Sequence, residues 1–175
     1  MNLNRDPLIV HHMAALDGSP YPQNSLEAIR ACLEVGAAFI EIDVTALASD
    51  DYLLVHDSVL EQETNGVGEV GATTPEAARQ LFIKTRSGIV TSYPPPLLSE
   101  VVALFGQYPG KTRLQIDFKN VFPMADDEPL RRFIHLIEPL GSRVLVSTGA
   151  DWHLRWMHKH APWKSGEAGV AFPPA

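Results

Sequence analysis

Cysteine is nearly missing from this sequence: Cys32 is the single one in 175 residues, so no disulfide can form within the chain. That excludes a disulfide-stapled secreted scaffold and fits a reducing compartment. Long apolar runs are missing too. None approaches the roughly 18 residues needed to span a bilayer, so no transmembrane segment is expected. The start, Met1-Asn2-Leu3-Asn4-Arg5-Asp6-Pro7, lacks the apolar stretch of a secretory signal, and a cytoplasmic location is the expectation. Positive charge is in short supply, with 14 Lys and Arg against 21 Asp and Glu and a net charge of −7. Such a chain repels nucleic acid and anionic membranes, so no nucleic-acid partner is expected, and a phosphate-bearing substrate would call for a cation. No repeat, low-complexity tract or linker interrupts the sequence. With 45% hydrophobic and 20% charged residues it reads as one globular domain over residues 1–175.

What is present is an alternation of short apolar strands and amphipathic helices. Leu8-Ile9-Val10, running into His11 and His12, reads as a buried strand. Asn24 or Ser25 serves as the cap of a helix bearing Leu26, Ile29 and Leu33 on one face, and Gly36 suits its end. Strands are predicted over 38–44, 52–56, 114–118 and 143–147, with one more at 169–172. Residues 57–74 read as a loop, with turn signals at Thr64-Asn65-Gly66 and Gly68. Thr74-Pro75-Glu76 opens a short helix, and Pro94-Pro95-Pro96 enforces an extended break. Further helices carry Leu97, Val101, Leu104 and Phe105, then Leu130, Phe133, Ile134 and Ile137. Pro139 closes the latter, and Asp151 is read as capping a last helix over 152–160. This order argues for an α/β fold with a parallel sheet, and both a doubly wound sheet and a barrel fit it. The connection between the second and third strands, about seven residues, is too short for a helical crossover.

The polar residues sit where the strands end. His12 follows the first, Glu41 and Asp43 share one face of the second, and His56 ends the third. Asp117 and Lys119 stand in the same i, i+2 relation on the fourth. Parallel α/β folds bind ligands at the C-terminal ends of their strands. Three carboxylates converge there only around a cation or with large pKa shifts, and oxygen ligands suit Mg²⁺ or Ca²⁺. Two imidazoles near neutral pH can then act as general base and general acid.

These residues resemble the glycerophosphodiester phosphodiesterase family. The likeness is carried, in order, by Ile9-Val10-His11-His12-Met13-Ala14, Pro22-Gln23-Asn24-Ser25-Leu26-Glu27-Ala28, Ile40-Glu41-Ile42-Asp43-Val44 and Val55-His56-Asp57. Thr64-Asn65-Gly66-Val67-Gly68, Pro96-Leu97-Leu98-Ser99-Glu100-Val101 and Gln115-Ile116-Asp117-Phe118-Lys119 continue it. The resemblance implies a (β/α)₈ TIM barrel and metal-dependent hydrolysis of glycerophosphodiesters to an alcohol and glycerol 3-phosphate. It implies Glu41, Asp43 and Asp117 as ligands of one divalent cation, Mg²⁺ or Ca²⁺, and His12 and His56 as the acid–base pair. Lys119 would neutralise the phosphate, and Asn24 would orient groups near His12. The sequence departs from the family where Met13 replaces a phosphate-binding Arg, Ala14 a Gly, Gln23 a Glu, Ser25 a Thr, and Asp117 the common Glu. His12-Met13 and Asp117 are similar instead to sphingomyelinase D-type phospholipases, so a lysophospholipid is the alternative substrate. A catalytically inactive, shortened homologue acting as a binding module is the third reading.

The remaining candidates read as structural. Trp152 with Trp156 and Arg155 with Lys159 mark a partly exposed amphipathic helix, and His158 and His160 suit its C-terminal dipole. His135 and His153 are read as surface or capping residues, Cys32 as a small buried one, and Asp57 as holding its loop. A (β/α)₈ barrel usually needs about 250 residues. The chain is therefore expected to be a barrel truncated to about six strands, with open edges that favour self-association.

Overall fold

The computed structural model describes residues 8–120, 126–161 and 169–170. Five strands run parallel in one sheet, in the order β1 (Val10–His11), β2 (Phe39–Ala46), β4 (Arg113–Phe118), β5 (Val144–Ser147), β6 (Gly169–Val170). Helices α1 (Leu26–Glu34), α3 (Leu98–Gln107), α4 (Glu128–Ile137) and α5 (Asp151–His160) follow the strands, and a short α2 (Pro75–Ala78) precedes α3. The result is a partial barrel. Among the described residues no helix is long and apolar enough to cross a membrane.

Strand alternation sorts the core from the site. Ile40, Ile42 and Val44 of β2, with Leu114, Ile116 and Phe118 of β4, are buried among the helices. The intervening Glu41, Asp43 and Asp117 therefore point to the other face. In register, Asp43 stands beside Asp117 and Glu41 beside Gln115. Local signals fix the helix ends. The Ser25 hydroxyl accepts the Ala28 N–H at 3.1 Å, and Gly36 takes the left-handed φ of 69° that ends α1. Thr74 caps α2 at the Ala77 N–H. Glu100 accepts the Leu97 N–H at 2.9 Å, so a carboxylate satisfies one free donor at the start of α3.

Four expectations change. The third strand, β3 (Tyr52–Leu53), is shorter than 52–56 and pairs antiparallel with β2, Thr45 facing Leu53 and Ala46 facing Tyr52. The connection was too short for a crossover, so the chain folds back as a hairpin, and of the six sheet strands among the described residues five run parallel. The first strand is not buried: Leu8, Ile9 and Val10 are 69%, 67% and 45% exposed, because among the described residues β1 has a strand neighbour on one side only. Asp151 is the first residue of α5 rather than its cap, and pairs with Arg155 at 2.9 Å. The sixth strand covers Gly169–Val170, while 171–172 lie outside the described residues.

The fourth change concerns His153, read above as a surface or capping residue. It is 1% exposed, packed edge-on against Phe118 at 5.5 Å, and its Nδ1 has no partner among the described residues. Phe118 also meets Phe133 at 4.9 Å, so the imidazole serves as part of an aromatic cluster. Burial lowers its pKa below the ordinary value. The unfolded chain then binds a proton near pH 6.5 that the folded chain refuses, so stability falls as pH drops through that region. Urea titrations between about pH 7.5 and 5.5 are expected to show this loss, and His153→Leu to flatten it. An equal slope in the variant would remove His153 as the cause.

Candidate active site

The backbone after β1 turns sharply. Met13 and Ala14 take left-handed φ values of 52° and 55°, a conformation costing non-glycine residues about 1–2 kcal/mol each. The turn is held from outside. Met13 N–H donates to Glu41 Oε2 at 2.9 Å, Asn24 N–H to the Met13 carbonyl at 2.8 Å, and Cys32 Sγ to the Ala14 carbonyl at 3.4 Å. This sends His12 over the sheet, its Nε2 3.7 Å from Glu41 Oε2, while His11 turns away and its Nδ1 meets the Ala15 carbonyl at 3.0 Å.

Beneath His12 lie buried charges. Asp43 is fully buried and Glu41 nearly so. Burial, with Asp43 and Asp117 nearby, pushes the Glu41 carboxyl up in pKa against the pull of the Met13 N–H and His12. Lys119 reaches between two carboxylates, its Nζ 2.9 Å from Asp43 Oδ1 and 2.5 Å from Asp117 Oδ2. Burial opposes its charge, but the Asp117 and Asp43 carboxylates paired with it outweigh that and hold its pKa above normal. Asp117 Oδ1 accepts from Ser147, and Asn24 Nδ2 donates to Asp43 Oδ2 at 3.4 Å. Among the described residues Asp43 Oδ1 has only the ion pair with Lys119, outside hydrogen-bonding angles, and Asn24 Oδ1 has no donor.

His12, Glu41 and Asp43 each offer a ligand atom within 4.8 Å of the others. A buried carboxylate oxygen without a hydrogen bond, in a set rich in oxygen donors, suits a hard divalent cation. Asp117, read from the sequence as a third ligand, stands aside from that set, engaged by Lys119 and Ser147.

His56 arrives by the hairpin rather than at a parallel strand end. Thr45 Oγ1 donates to the Val55 carbonyl at 3.1 Å, and His56 Nδ1 lies 3.3 Å from Asp57 Oδ1. Both imidazoles, Asn24 and Lys119 line a cavity of about 600 Å³. Its other wall comes from residues the sequence reading passed over: Glu63, Lys84 and Arg86. Glu63 sat inside a segment read only for its Asn-Gly turn. Lys84 and Arg86 reach the cavity because Ile83 bridges to Thr64, a pairing across 19 positions that no local pattern announces. Tyr21, which packs edge-on against Tyr93 at 6.0 Å, lines the cavity as well.

The model of the glycerophosphoryl diester phosphodiesterase family matches residues 17–159. A glycerophosphodiester phosphodiesterase of Caldanaerobacter subterraneus subsp. tengcongensis is 28% identical over 156 residues, covering 89% of this chain and 63% of that protein. The crystal structure of a glycerophosphoryl diester phosphodiesterase from Parabacteroides distasonis superposes with a TM-score of 0.70 at 29% identity, covering 93% of this chain and 54% of that one. An Oleispira antarctica phosphodiesterase, solved with the product sn-glycerol-3-phosphate, has a TM-score of 0.65 at 20% identity, over 89% of this chain and 63% of that one. The chain thus spans 54–63% of the length of these relatives.

Proposed function

The chain belongs to the glycerophosphoryl diester phosphodiesterase family, and from that premise we propose that it hydrolyses glycerophosphodiesters to an alcohol and sn-glycerol 3-phosphate. The observation that carries this reading is the meeting of His12, His56, Asn24 and Lys119 in one cavity above the buried Glu41 and Asp43. Glu41 and Asp43, with Asp117 beside them in register, would hold a divalent cation, Mg²⁺ or Ca²⁺, leaving His12 free for proton transfer. Bound there, the cation would polarise a phosphoryl oxygen and offset the carboxylate charge.

The chain's own groups then have distinct tasks. Lys119 neutralises the phosphate, and Asn24 orients groups beside His12. One imidazole takes the proton of the substrate hydroxyl adjacent to the phosphate as its oxygen bonds to phosphorus. The other gives a proton to the alcohol oxygen as the P–O bond breaks. Exchanged roles let water open the resulting cyclic ester. The charged lining that includes Lys84, Arg86, Asp57 and Glu63 favours water-soluble diesters over a lipid tail.

A panel of glycerophosphodiesters and lysophospholipids, assayed for alcohol release with chelator and with added Mg²⁺ or Ca²⁺, tests this reading. Turnover is expected with the soluble diesters, abolished by chelator and restored by one of the ions. Turnover confined to lysophospholipids would move the assignment to a lysophospholipase D. Binding of glycerol 3-phosphate without any turnover would leave a binding module.

A further inference from the structure

We propose that Glu63 is a positioning residue for His56, a carboxylate that takes the place of a missing strand neighbour; this rests on the phosphodiesterase reading above. The antiparallel pairing of β3 ends at Leu53, so the backbone beyond it leaves the sheet. The His56 and Asp57 N–H groups have no backbone acceptor among the described residues. Glu63 Oε2 accepts both, at 2.5 Å from His56 N and 3.2 Å from Asp57 N. A charged acceptor makes stronger bonds than a neutral one, so a single carboxylate oxygen can hold both amides in place.

The loop that presents Glu63 is itself fixed. Leu60 N–H donates to the Gly68 carbonyl at 2.8 Å, Thr64 N–H to the Leu60 carbonyl at 2.9 Å, and Lys84 N–H to the Glu63 carbonyl at 2.7 Å. Gly66 packs so closely that a Cβ there would stand 2.7 Å from Leu81 and 3.0 Å from Leu60 side-chain atoms. Glu63 therefore ties His56 to a stiff element, while Asp57, 3.3 Å from Nδ1, orients the ring. Burial raises the Glu63 carboxyl in pKa, opposed by these two N–H groups. A residue that orders the backbone of an acid–base group acts on the chemical step, since a displacement of about 1 Å can cost 10²-fold in rate.

Two measurements on Glu63→Ala and Glu63→Gln test this, one of them independent of turnover. Amide hydrogen exchange at His56 and Asp57 is expected to be slow in the unmodified protein and at least about tenfold faster in Glu63→Ala. The isosteric Glu63→Gln retains an acceptor oxygen and is expected to keep most of the protection. In kinetics, Glu63→Ala is expected to lower kcat roughly 10- to 100-fold with KM changed little, and Glu63→Gln to recover most of that loss. Unchanged exchange at both amides, or an undiminished kcat in Glu63→Ala, would overturn the proposal. A fall in kcat that Glu63→Gln does not relieve would also overturn it. An unmodified protein without turnover but with Glu63-dependent exchange would instead contradict the phosphodiesterase reading.

Discussion

Alanine at His56 or at His12 is expected to lower kcat by about 10²- to 10⁴-fold, the range that one general acid or base supplies. The geometry makes this a clean experiment. The side chains are 64% exposed for His12 and 52% for His56, so neither substitution opens a core cavity. Each imidazole is oriented by a carboxylate, His12 by Glu41 at 3.7 Å and His56 by Asp57 at 3.3 Å. The two act on the same turnover from different positions on the cavity wall, so the double variant is expected to fall little below the weaker single one. Circular dichroism and unfolding midpoints close to the parent's should accompany the loss. Near-normal turnover in either variant would remove that residue from the acid–base pair.

The second large effect is expected at Asp43. Asparagine there keeps the volume and the contact with Asn24 but removes a fully buried negative charge. Among the described residues Lys119 then retains the Asp117 carboxylate at 2.5 Å alone, and its proton is held less tightly than before. If the carboxylate holds a divalent ion, its loss forfeits several kcal/mol of stabilisation of phosphoryl charge, or about 10²- to 10⁴-fold in kcat/KM. Titration calorimetry should show the divalent-ion heat of the parent protein vanish in Asp43→Asn. Parent-like ion binding in the variant would assign the ion to other ligands. Ion binding lost with activity retained would separate the ion from the reaction.

The strand faces and several helix ends of this arrangement are legible in the sequence. Glu41 and Asp43, like Asp117 and Lys119, are separated by two in apolar runs, which puts each pair on one strand face. The parallel register then sets Asp43 beside Asp117. Helix ends were legible where chemistry is local, as at Ser25, Gly36 and Thr74. What escaped is what depends on distant neighbours. The burial of His153 comes from Phe118 and Phe133, on other elements. The exposure of Leu8 and Ile9 goes with β1 having one strand neighbour among the described residues, which an apolar tripeptide does not reveal. Glu63 was missed because it binds backbone N–H groups, and such a role leaves no side-chain pairing in the sequence. The separation of Asp117 from the His12–Glu41–Asp43 group rests on where the Lys119 ammonium comes to lie.

The cation and the phosphate can be located together. A crystal soaked with Mn²⁺ and sn-glycerol 3-phosphate, examined by anomalous scattering, puts the central claim to its most direct test. The account predicts one ion held by carboxylate oxygens of Glu41 and Asp43, with the phosphate against Lys119 and between His12 and His56. An ion bound away from those carboxylates, or a phosphate out of reach of both imidazoles, would contradict it.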